Sequence, residues 1–323
     1  MANPGPAGGV AAFWAGNIYD SLARAGVPLF VMLTGWLLLA PERGAEPLGR
    51  FFWRRLDRVV LPLVTWSLVA WVWIAVRDHH AIAWSRFWRE MIAGPVFYHL
   101  WYVYVLLGLY LAIPLLRPLA AQPTPALRWY ALTFWFVGTA VLPLWTWWGG
   151  LSIGIPILVV STYVGYLLAG VWLAATPLTR KTAVELGMLF LLAALWTIVA
   201  TARLTGEEHL NVILYSYDRP NVVVMALVAF VLLTQPQPAR WVAGHPVALA
   251  LVRAFAASSY GIYLVHPLLL DVLGSGLLGV RISGASLPPF VGIPALAAGL
   301  LFASLGVMTL ARRVPVLGRL IGA

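Results

Sequence analysis

The sequence predicts an all-α polytopic membrane protein, a bundle of about nine transmembrane helices. Three observations lead to this prediction. Hydrophobic residues make up 62% of the 323 residues and charged residues only 10%, whereas soluble domains are about a quarter charged. The apolar residues fall in blocks of roughly 20, the helix length that crosses the hydrocarbon core of a bilayer. Many of the 17 Trp residues lie at block edges, as in the aromatic belts of membrane proteins.

The predicted spans follow the apolar blocks along the chain. No internal repeat and no linker divides them, so one transmembrane domain is predicted over residues 21–323. Residues 1–20 precede the first block and are predicted to form an extracytoplasmic N-terminal segment, without the cationic and apolar regions of a signal peptide. The approximate bounds of the spans are 25–40, 57–76, 97–116, 127–148, 156–175, 183–202, 220–234, 255–274 and 290–311.

The distribution of Lys and Arg predicts the orientation of these spans. Alternate connections, together with the C-terminal tail, carry fourteen basic residues on one side and seven on the other. The positive-inside rule therefore places the 41–58 loop and the C-terminus in the cytoplasm, and an odd number of spans leaves residues 1–20 outside. Because the basic residues are spread over short loops, the net charge of +10 does not indicate a nucleic-acid partner; the predicted partner is the lipid bilayer.

Two connections on the predicted outer side are long enough to have a structure of their own. Residues 77–96 mix Trp and Phe with charges, which favours an interfacial amphipathic helix. Residues 203–219 are polar and aromatic, and we interpret them as an outer lid. The chain has no Cys, hence no thiol nucleophile or Cys-type metal site. His79 and His80 lack ligand spacing, so no metal is predicted.

Two histidines are the main candidates for chemistry. Ionisable groups inside a membrane are costly and are functional candidates by default. His266 lies deep in the span 255–274 and precedes Pro267, which removes a helix hydrogen bond and disfavours helical geometry before it. His99 opens the span 97–116 in the same predicted half of the membrane. The alternatives are a His266 bonded to a neighbouring helix and a His99 that anchors at the interface; a shared pocket would suit general-base chemistry.

Charged residues at two helix ends offer further candidates. The run from Arg54 to Arg58 (RRLDR) stands at the predicted cytoplasmic entry of a span. It is either a basic anchor or a clamp for phosphate groups, which arginine binds through paired hydrogen bonds. Asp57 is expected to pair with a neighbouring arginine. Arg24 is expected to pair with Asp20 one helical turn away.

Taken in order, four segments resemble the acyltransferase 3 family of membrane proteins, especially its bacterial O-acetyltransferase branch. Each segment is weak alone, but their order and spacing are specific, and together they extend from Ser21 to Pro267. The segments are SLARAGVPLFVMLTG at 21–35, FFWRRLDRVVLP at 51–62, HLWYVY at 99–104 continuing to LYLAIPLLR at 109–117, and SYGIYLVHP at 259–267.

The resemblance implies a ten-helix fold with both ends in the cytoplasm, in the inner (plasma) membrane of a bacterium. It implies an enzyme that moves an acyl group, typically acetyl, from cytoplasmic acyl-CoA to a hydroxyl of an envelope or exported polysaccharide, or of a lipid-linked sugar acceptor. Acyl-CoA, in the first place acetyl-CoA, is a co-substrate, and no metal is required.

The resemblance also assigns residues. His99 and His266 match the family's histidines and are the expected catalytic residues. Arg55 and Arg58 match the family's RxxR motif and are expected to bind the phosphates of acyl-CoA. The expected substrate-binding residues are Arg24, Trp101 and Tyr263.

One departure from the family pattern concerns its first helix, in which a basic residue is followed by a His taken as catalytic. This chain enters the pattern in the connection to the second helix. We therefore expect the reading frame to continue upstream through ~20 apolar residues that contain a basic residue and then a His. An in-frame stop codon directly upstream would contradict this expectation. It would favour the alternative, a non-enzymatic polysaccharide export component or an inactive acyltransferase-like partner.

Overall fold

The computed structural model describes residues 9–40, 46–79, 83–121, 123–149, 162–174, 176–206, 210–277, 279–284 and 286–322. The regular secondary structure of these residues is helical throughout, without a strand, as the predicted fold class requires. Eight helical stretches within them are long and apolar enough to cross a membrane. The protein is therefore an all-α multi-pass membrane protein.

The helices carry chain-order labels. They are α1 (Gly9–Ala23), α2 (Gly26–Leu39), α3 (Leu48–Arg55), α4 (Leu61–Arg77), α5 (Trp84–Ala93), α6 (Trp101–Ala121), α7 (Pro125–Phe136), α8 (Leu142–Gly149), α9 (Thr162–Leu173), α10 (Arg180–Leu204), α11 (Pro220–Leu233), α12 (Pro236–Ala243), α13 (Pro246–Ser275), α14 (Pro289–Ala311) and α15 (Pro315–Ile321). Two π-helical turns, Leu56–Val60 and Val137–Val141, connect α3 to α4 and α7 to α8. Short 3₁₀ turns are Tyr98–Leu100 and Ile213–Tyr215.

The spans agree with the prediction in order but not in every bound. Eight of the nine predicted spans overlap a long apolar helical stretch. The remaining one, 156–175, contains the twelve-residue α9, and its residues 156–161 lie outside the described residues. The predicted span 25–40 matches α2, but α1 precedes it in one helical stretch from Gly9 to Leu39, so the first apolar stretch begins earlier than predicted.

The early start has a physical reason. Asn17 and Ser21 interrupt the apolar pattern of α1, yet both are buried. The Asn17 amide donates to the Ile198 carbonyl at 2.9 Å, and the Ser21 hydroxyl donates to Asn17 Oδ1 at 3.2 Å. Because buried polar groups are tolerated when they are hydrogen-bonded, the helix continues through residues that end an apolar block.

The described chain divides into two compact units. The first comprises Met1–Ala45 and Ala112–Trp241, and its closest helix pair is α2 with α9. A Cβ added at Gly35 would overlap the Leu167 carbonyl, and one added at Gly170 would overlap the Met32 carbonyl. Small residues of this kind let membrane helices approach backbone to backbone.

The second unit comprises Glu46–Leu111 and Val242–Ala323. Its core joins α4, the start of α6, α13, α14 and α15 through buried residues such as Trp66, Val103 and Leu264. The Trp66 indole donates to the Ile321 carbonyl at 3.1 Å. This packing holds the beginning of α6 against α13, where the two candidate histidines lie.

The predicted helix in the connection 77–96 is present as α5. Phe87 is buried against Trp71, with ring centroids 5.5 Å apart, while Arg86 pairs with Glu90 at 2.6 Å on the exposed face. The helix is thus amphipathic, as predicted. Of the predicted lid at 203–219, residues 207–209 lie outside the described residues.

Candidate functional site

His99 and His266 lie together in the second unit, with ring centroids 6.0 Å apart. His99 enters from the 3₁₀ turn before α6, and His266 from the middle of α13. The Tyr263 ring lies 5.4 Å from the His99 ring and 6.1 Å from the His266 ring. The Tyr263 hydroxyl donates to the His99 carbonyl, which ties the two helices at this level. We call His99 and His266 the histidine pair.

His99 is buried, with 8% of its surface exposed. Neither of its ring nitrogens has a hydrogen-bond partner among the described residues. A buried polar group without a partner costs about 1–3 kcal/mol, and such atoms call for an explanation. The burial disfavours a merely interfacial anchor, and both nitrogens are unsatisfied by the described protein groups.

His266 makes its hydrogen bond within its own helix. Its Nδ1 lies 3.1 Å from the carbonyl of Ile262, one turn earlier. A carbonyl only accepts, so Nδ1 carries the proton of the neutral ring and Nε2 keeps its lone pair. Helix α13 continues through Pro267. Within the described part of the chain, His266 forms no hydrogen bond to a neighbouring helix, which was the alternative considered from the sequence.

Polar contacts on both sides hold the histidine pair in position. Arg77 at the end of α4 donates to Asp271 of α13 at 2.7 Å, and the Trp73 indole donates to the same carboxylate oxygen. The Tyr104 hydroxyl donates to the carbonyls of Met91 at 2.7 Å and Gly94 at 3.1 Å. These bonds fix α4, α13 and the segment before His99.

Arg55 lines a cavity of about 380 Å³ within the second unit. Its guanidinium lies 3.9 Å from the centre of the Phe51 ring and donates to the Phe51 carbonyl at 3.0 Å. It also pairs with Glu46 at 3.4 Å. The cavity wall is mainly apolar, formed by residues that include Phe52, Trp53, Leu56, Val60, Leu107, Tyr110 and Leu111.

The rest of the basic run is arranged differently from the prediction. Glu46 is the ion-pair partner of both Arg54 and Arg55, whereas Asp57, expected to fill that role, has no ion pair among the described residues. Arg58 is exposed and lies in the π-helical turn Leu56–Val60. π-Bulges occur frequently at functional sites. Sequence reasoning missed Glu46, because it lies eight residues before its nearer partner and no helix spacing links them.

The arginines and the histidine pair are separated along the helices. Arg58 and Arg77 lie near opposite ends of one helical stretch, ~28 Å apart at 1.5 Å per residue. Tyr110, whose ring lies 6.0 Å from the Arg55 guanidinium, is ~16 Å along α6 from His99. The structure therefore does not bring Arg55 into contact with the histidines; both adjoin α6 at different levels.

The three expected substrate-binding residues lie in different surroundings. Tyr263 lies beside both histidines. Trp101 is half-buried at the start of α6, with its ring 6.1 Å from Tyr102. Arg24 belongs to the first unit, where it forms the predicted ion pair with Asp20 and lines a separate cavity of about 430 Å³.

The fold and the histidine pair define a multi-pass membrane protein with an ionisable site inside its second helical unit. The family model described as "Acyltransferase domain", that of the acyltransferase 3 family, matches residues 1–312. The chain belongs to this family of membrane acyltransferases. No curated protein and no solved structure matched it. Across the described residues, His, Asp and Glu side chains form no group of three or more that could hold a metal ion.

Proposed function

We propose that the protein is a membrane O-acyltransferase that moves an acyl group, in the first place acetyl, from acyl-CoA to a sugar hydroxyl of an envelope or exported polysaccharide. The observation that carries the proposal is the histidine pair: a buried His99 and a half-buried His266, with ring centroids 6.0 Å apart, in a chain of an acyltransferase family. Acyl transfer to a hydroxyl needs a base for the proton and a donor for the developing oxyanion, and two neutral histidines supply both.

In the proposed reaction, His266 is the general base. Its Nε2 takes the proton of the acceptor hydroxyl while the hydroxyl oxygen bonds to the thioester carbonyl carbon. The ring N–H of His99 donates to the resulting oxyanion. When the carbon–sulfur bond breaks, the CoA sulfur leaves with the proton returned by His266, and the products are the acyl ester and free CoA. The hydrogen bond from Tyr263 to the His99 carbonyl keeps the two imidazoles at this spacing.

Arg55 and Arg58 are proposed to hold the phosphates of acyl-CoA. The ~16 Å along α6 between the Arg55 level and His99 suits a donor that carries its thioester on a long flexible arm. The apolar wall of the Arg55 cavity offers contacts to that arm, and the guanidinium groups offer charge-assisted bonds to phosphate. The end of α3 and the turn before α4, which carry these arginines, are accordingly the proposed cytoplasmic entry for acyl-CoA.

The test uses inverted membrane vesicles that contain the protein and acetyl-CoA labelled with ¹⁴C in its acetyl group. It measures the label that appears on the carbohydrate fraction as an ester that alkali removes. Glutamine is close in size to histidine but is no base at neutral pH, so His266→Gln should lower the rate by about 10²-fold or more. His245→Gln, at an exposed position just before the same helix, is the matched control and should leave the rate unchanged. Equal rates for the two variants would refute the base role; no transfer by the unmodified chain would refute the proposed activity.

A further inference from the structure

The first unit contains a polar cavity of its own, about 430 Å³ in volume. Ligand pockets typically have volumes of about 300–1,000 Å³. Its lining combines one guanidinium, one carboxylate, hydroxyl groups and the rings of three tyrosines. The lining residues that carry the argument are Arg24, Tyr163, Tyr215, Ser216, Tyr217 and Asp218. The acyl-transfer chemistry proposed for the histidine pair uses none of them.

Arg24 is held over the cavity by groups beneath it. Its guanidinium pairs with Asp20 and lies 4.7 Å from the centre of the Tyr215 ring. The Tyr215 hydroxyl in turn donates to the buried Asn17 at 2.6 Å. The Arg24 Nε is buried and has no hydrogen-bond partner among the described residues. One donor at the edge of the cavity is therefore left unsatisfied by the described protein groups, as expected where a ligand completes the site.

The wall formed by residues 212–218 is fixed by hydrogen bonds to backbone carbonyls. The buried Tyr166 hydroxyl donates to the Tyr217 carbonyl at 2.7 Å. The Asn221 amide donates to the Leu214 carbonyl at 2.8 Å, and the Arg219 Nε donates to the Ile213 carbonyl at 3.2 Å. A wall fixed before binding lowers the conformational cost of taking a ligand.

The charges around the cavity indicate what kind of ligand it takes. Arg24 is compensated by Asp20, and Asp218, in the lining, has Arg219 at 4.0 Å. The two positive and two negative charges leave no surplus that would favour phosphate or another anion. Tyrosine rings provide rigid amphipathic faces, Asp218 accepts hydroxyl protons, and Arg24 Nε donates to hydroxyl oxygens. This combination fits an uncharged ligand with hydroxyl groups on a ring.

We propose that this cavity is a carbohydrate-binding site for a neutral sugar unit. The inference goes beyond the proposed function by assigning a ligand site to the first unit. It rests on that function only where the bound sugar is taken to be part of the acyl acceptor. Binding itself requires neither the histidine pair nor acyl-CoA.

The experiment is a calorimetric titration of the purified protein in lipid nanodiscs with maltotetraose, cellotetraose and chitotetraose, and with inorganic phosphate as the anionic comparator. At least one oligosaccharide should bind, and phosphate should not compete with it. Asp218→Asn removes the negative charge of the carboxylate that accepts the sugar's hydroxyl protons in hydrogen bonds, and Tyr163→Leu removes an aromatic face. Each change should weaken oligosaccharide binding tenfold or more. Glu185→Gln and Tyr130→Leu make matched changes at exposed positions of the first unit and should not alter the Kd.

Failure of this inference is distinguishable from failure of the proposed function. His266→Gln should lower the rate of acetyl transfer by about 10²-fold or more and leave oligosaccharide binding intact, so loss of transfer alone does not argue against the carbohydrate site. Absence of binding by all three oligosaccharides would overturn the inference, as would equal weakening by the pocket variants and their controls. Phosphate binding that strengthens in Asp218→Asn would also overturn it and would identify an anion site.

Discussion

At the residue scale, burial and hydrogen-bond partners separate side chains that look alike in the sequence. His99 and His266 both interrupt apolar blocks, and their proximity, with ring centroids 6.0 Å apart, agrees with their predicted half of the membrane. Their different hydrogen-bond surroundings could not be predicted from the sequence. His266 Nδ1 is bonded to a carbonyl of its own helix, whereas the ring nitrogens of His99 have no hydrogen-bond partner in the described chain. Such differences depend on rotamers, which the sequence pattern does not specify.

Arg55 and Arg58 provide the second residue-scale contrast, and we expect unequal effects on acyl-CoA binding. Arg55 is only 16% exposed and is held by Glu46 and Phe51, whereas Arg58 is exposed. A buried charge-assisted bond contributes about 1.5–3 kcal/mol, so Arg55→Ala should weaken acetyl-CoA binding about tenfold or more. Arg58→Ala should have a smaller effect, because water competes for an exposed group. Titration of the purified protein in nanodiscs measures both.

The control for this prediction is Arg50→Ala. Arg50 lies on the same helix, is exposed, and lines no part of the Arg55 cavity. Its loss removes the same charge from the same end of the helical stretch Leu48–Arg77. If Arg50→Ala weakens acetyl-CoA binding as much as Arg55→Ala does, the arginines act only through the general positive charge of this surface, and the phosphate-binding role is excluded.

At the element scale, the stretch Leu48–Arg77 shows which features the apolar pattern captures. The apolar block predicted a span from 57 to 76, and the helix there has thirty residues, ~45 Å at 1.5 Å per residue. This exceeds the ~30 Å of a hydrocarbon core, so the basic α3 extends the helix beyond the apolar part. The π-helical turn at Leu56–Val60 was not predicted, because an inserted residue leaves no mark in the hydropathy of so short a segment.

The contact between α2 and α9 yields a prediction about stability. A methyl group at Gly35 would overlap the backbone carbonyl of Leu167, which cannot move without shifting α9. Gly35→Ala should therefore lower the free energy of unfolding by about 1–3 kcal/mol, the usual cost of overpacking. Thermal unfolding of the purified protein in detergent should show a lower Tm.

Gly16→Ala is the matched comparison for Gly35→Ala. Gly16 lies within α1, and a Cβ there has nothing within 4 Å. Alanine stabilises a helix interior by up to ~1 kcal/mol relative to glycine, so the Tm of Gly16→Ala should stay constant or rise. A Gly35→Ala protein as stable as Gly16→Ala would show that α2 and α9 do not pack backbone to backbone.

At the scale of the whole molecule, the order of the spans and eight of the nine predicted ones were predictable, because a bilayer imposes one length on every crossing helix. The division into two units was not predictable: both units draw on separate parts of the chain, and no linker or composition shift separates them. The Arg24 cavity illustrates the difficulty. Its lining comes from the turn after α1, from α9 and from the segment before α11, and only tertiary packing brings these together.

The orientation of the molecule is the last prediction. Fourteen of the twenty-one basic residues lie on one side of the predicted spans. This side includes the basic α3 and the tail after α14. The positive-inside rule therefore places the C-terminus and the Arg55 cavity in the cytoplasm. Green fluorescent protein fused after Ala323 should fluoresce, and alkaline phosphatase fused after His79, following α4, should be active, because the first folds in the cytoplasm and the second outside it. The reciprocal fusions serve as controls and should be silent. An active phosphatase at the C-terminus would show that the orientation is the reverse of the one predicted. The Arg55 cavity would then face away from cytoplasmic acyl-CoA. The proposed route of the acyl donor would be wrong in that case, even if the histidine pair transfers acyl groups.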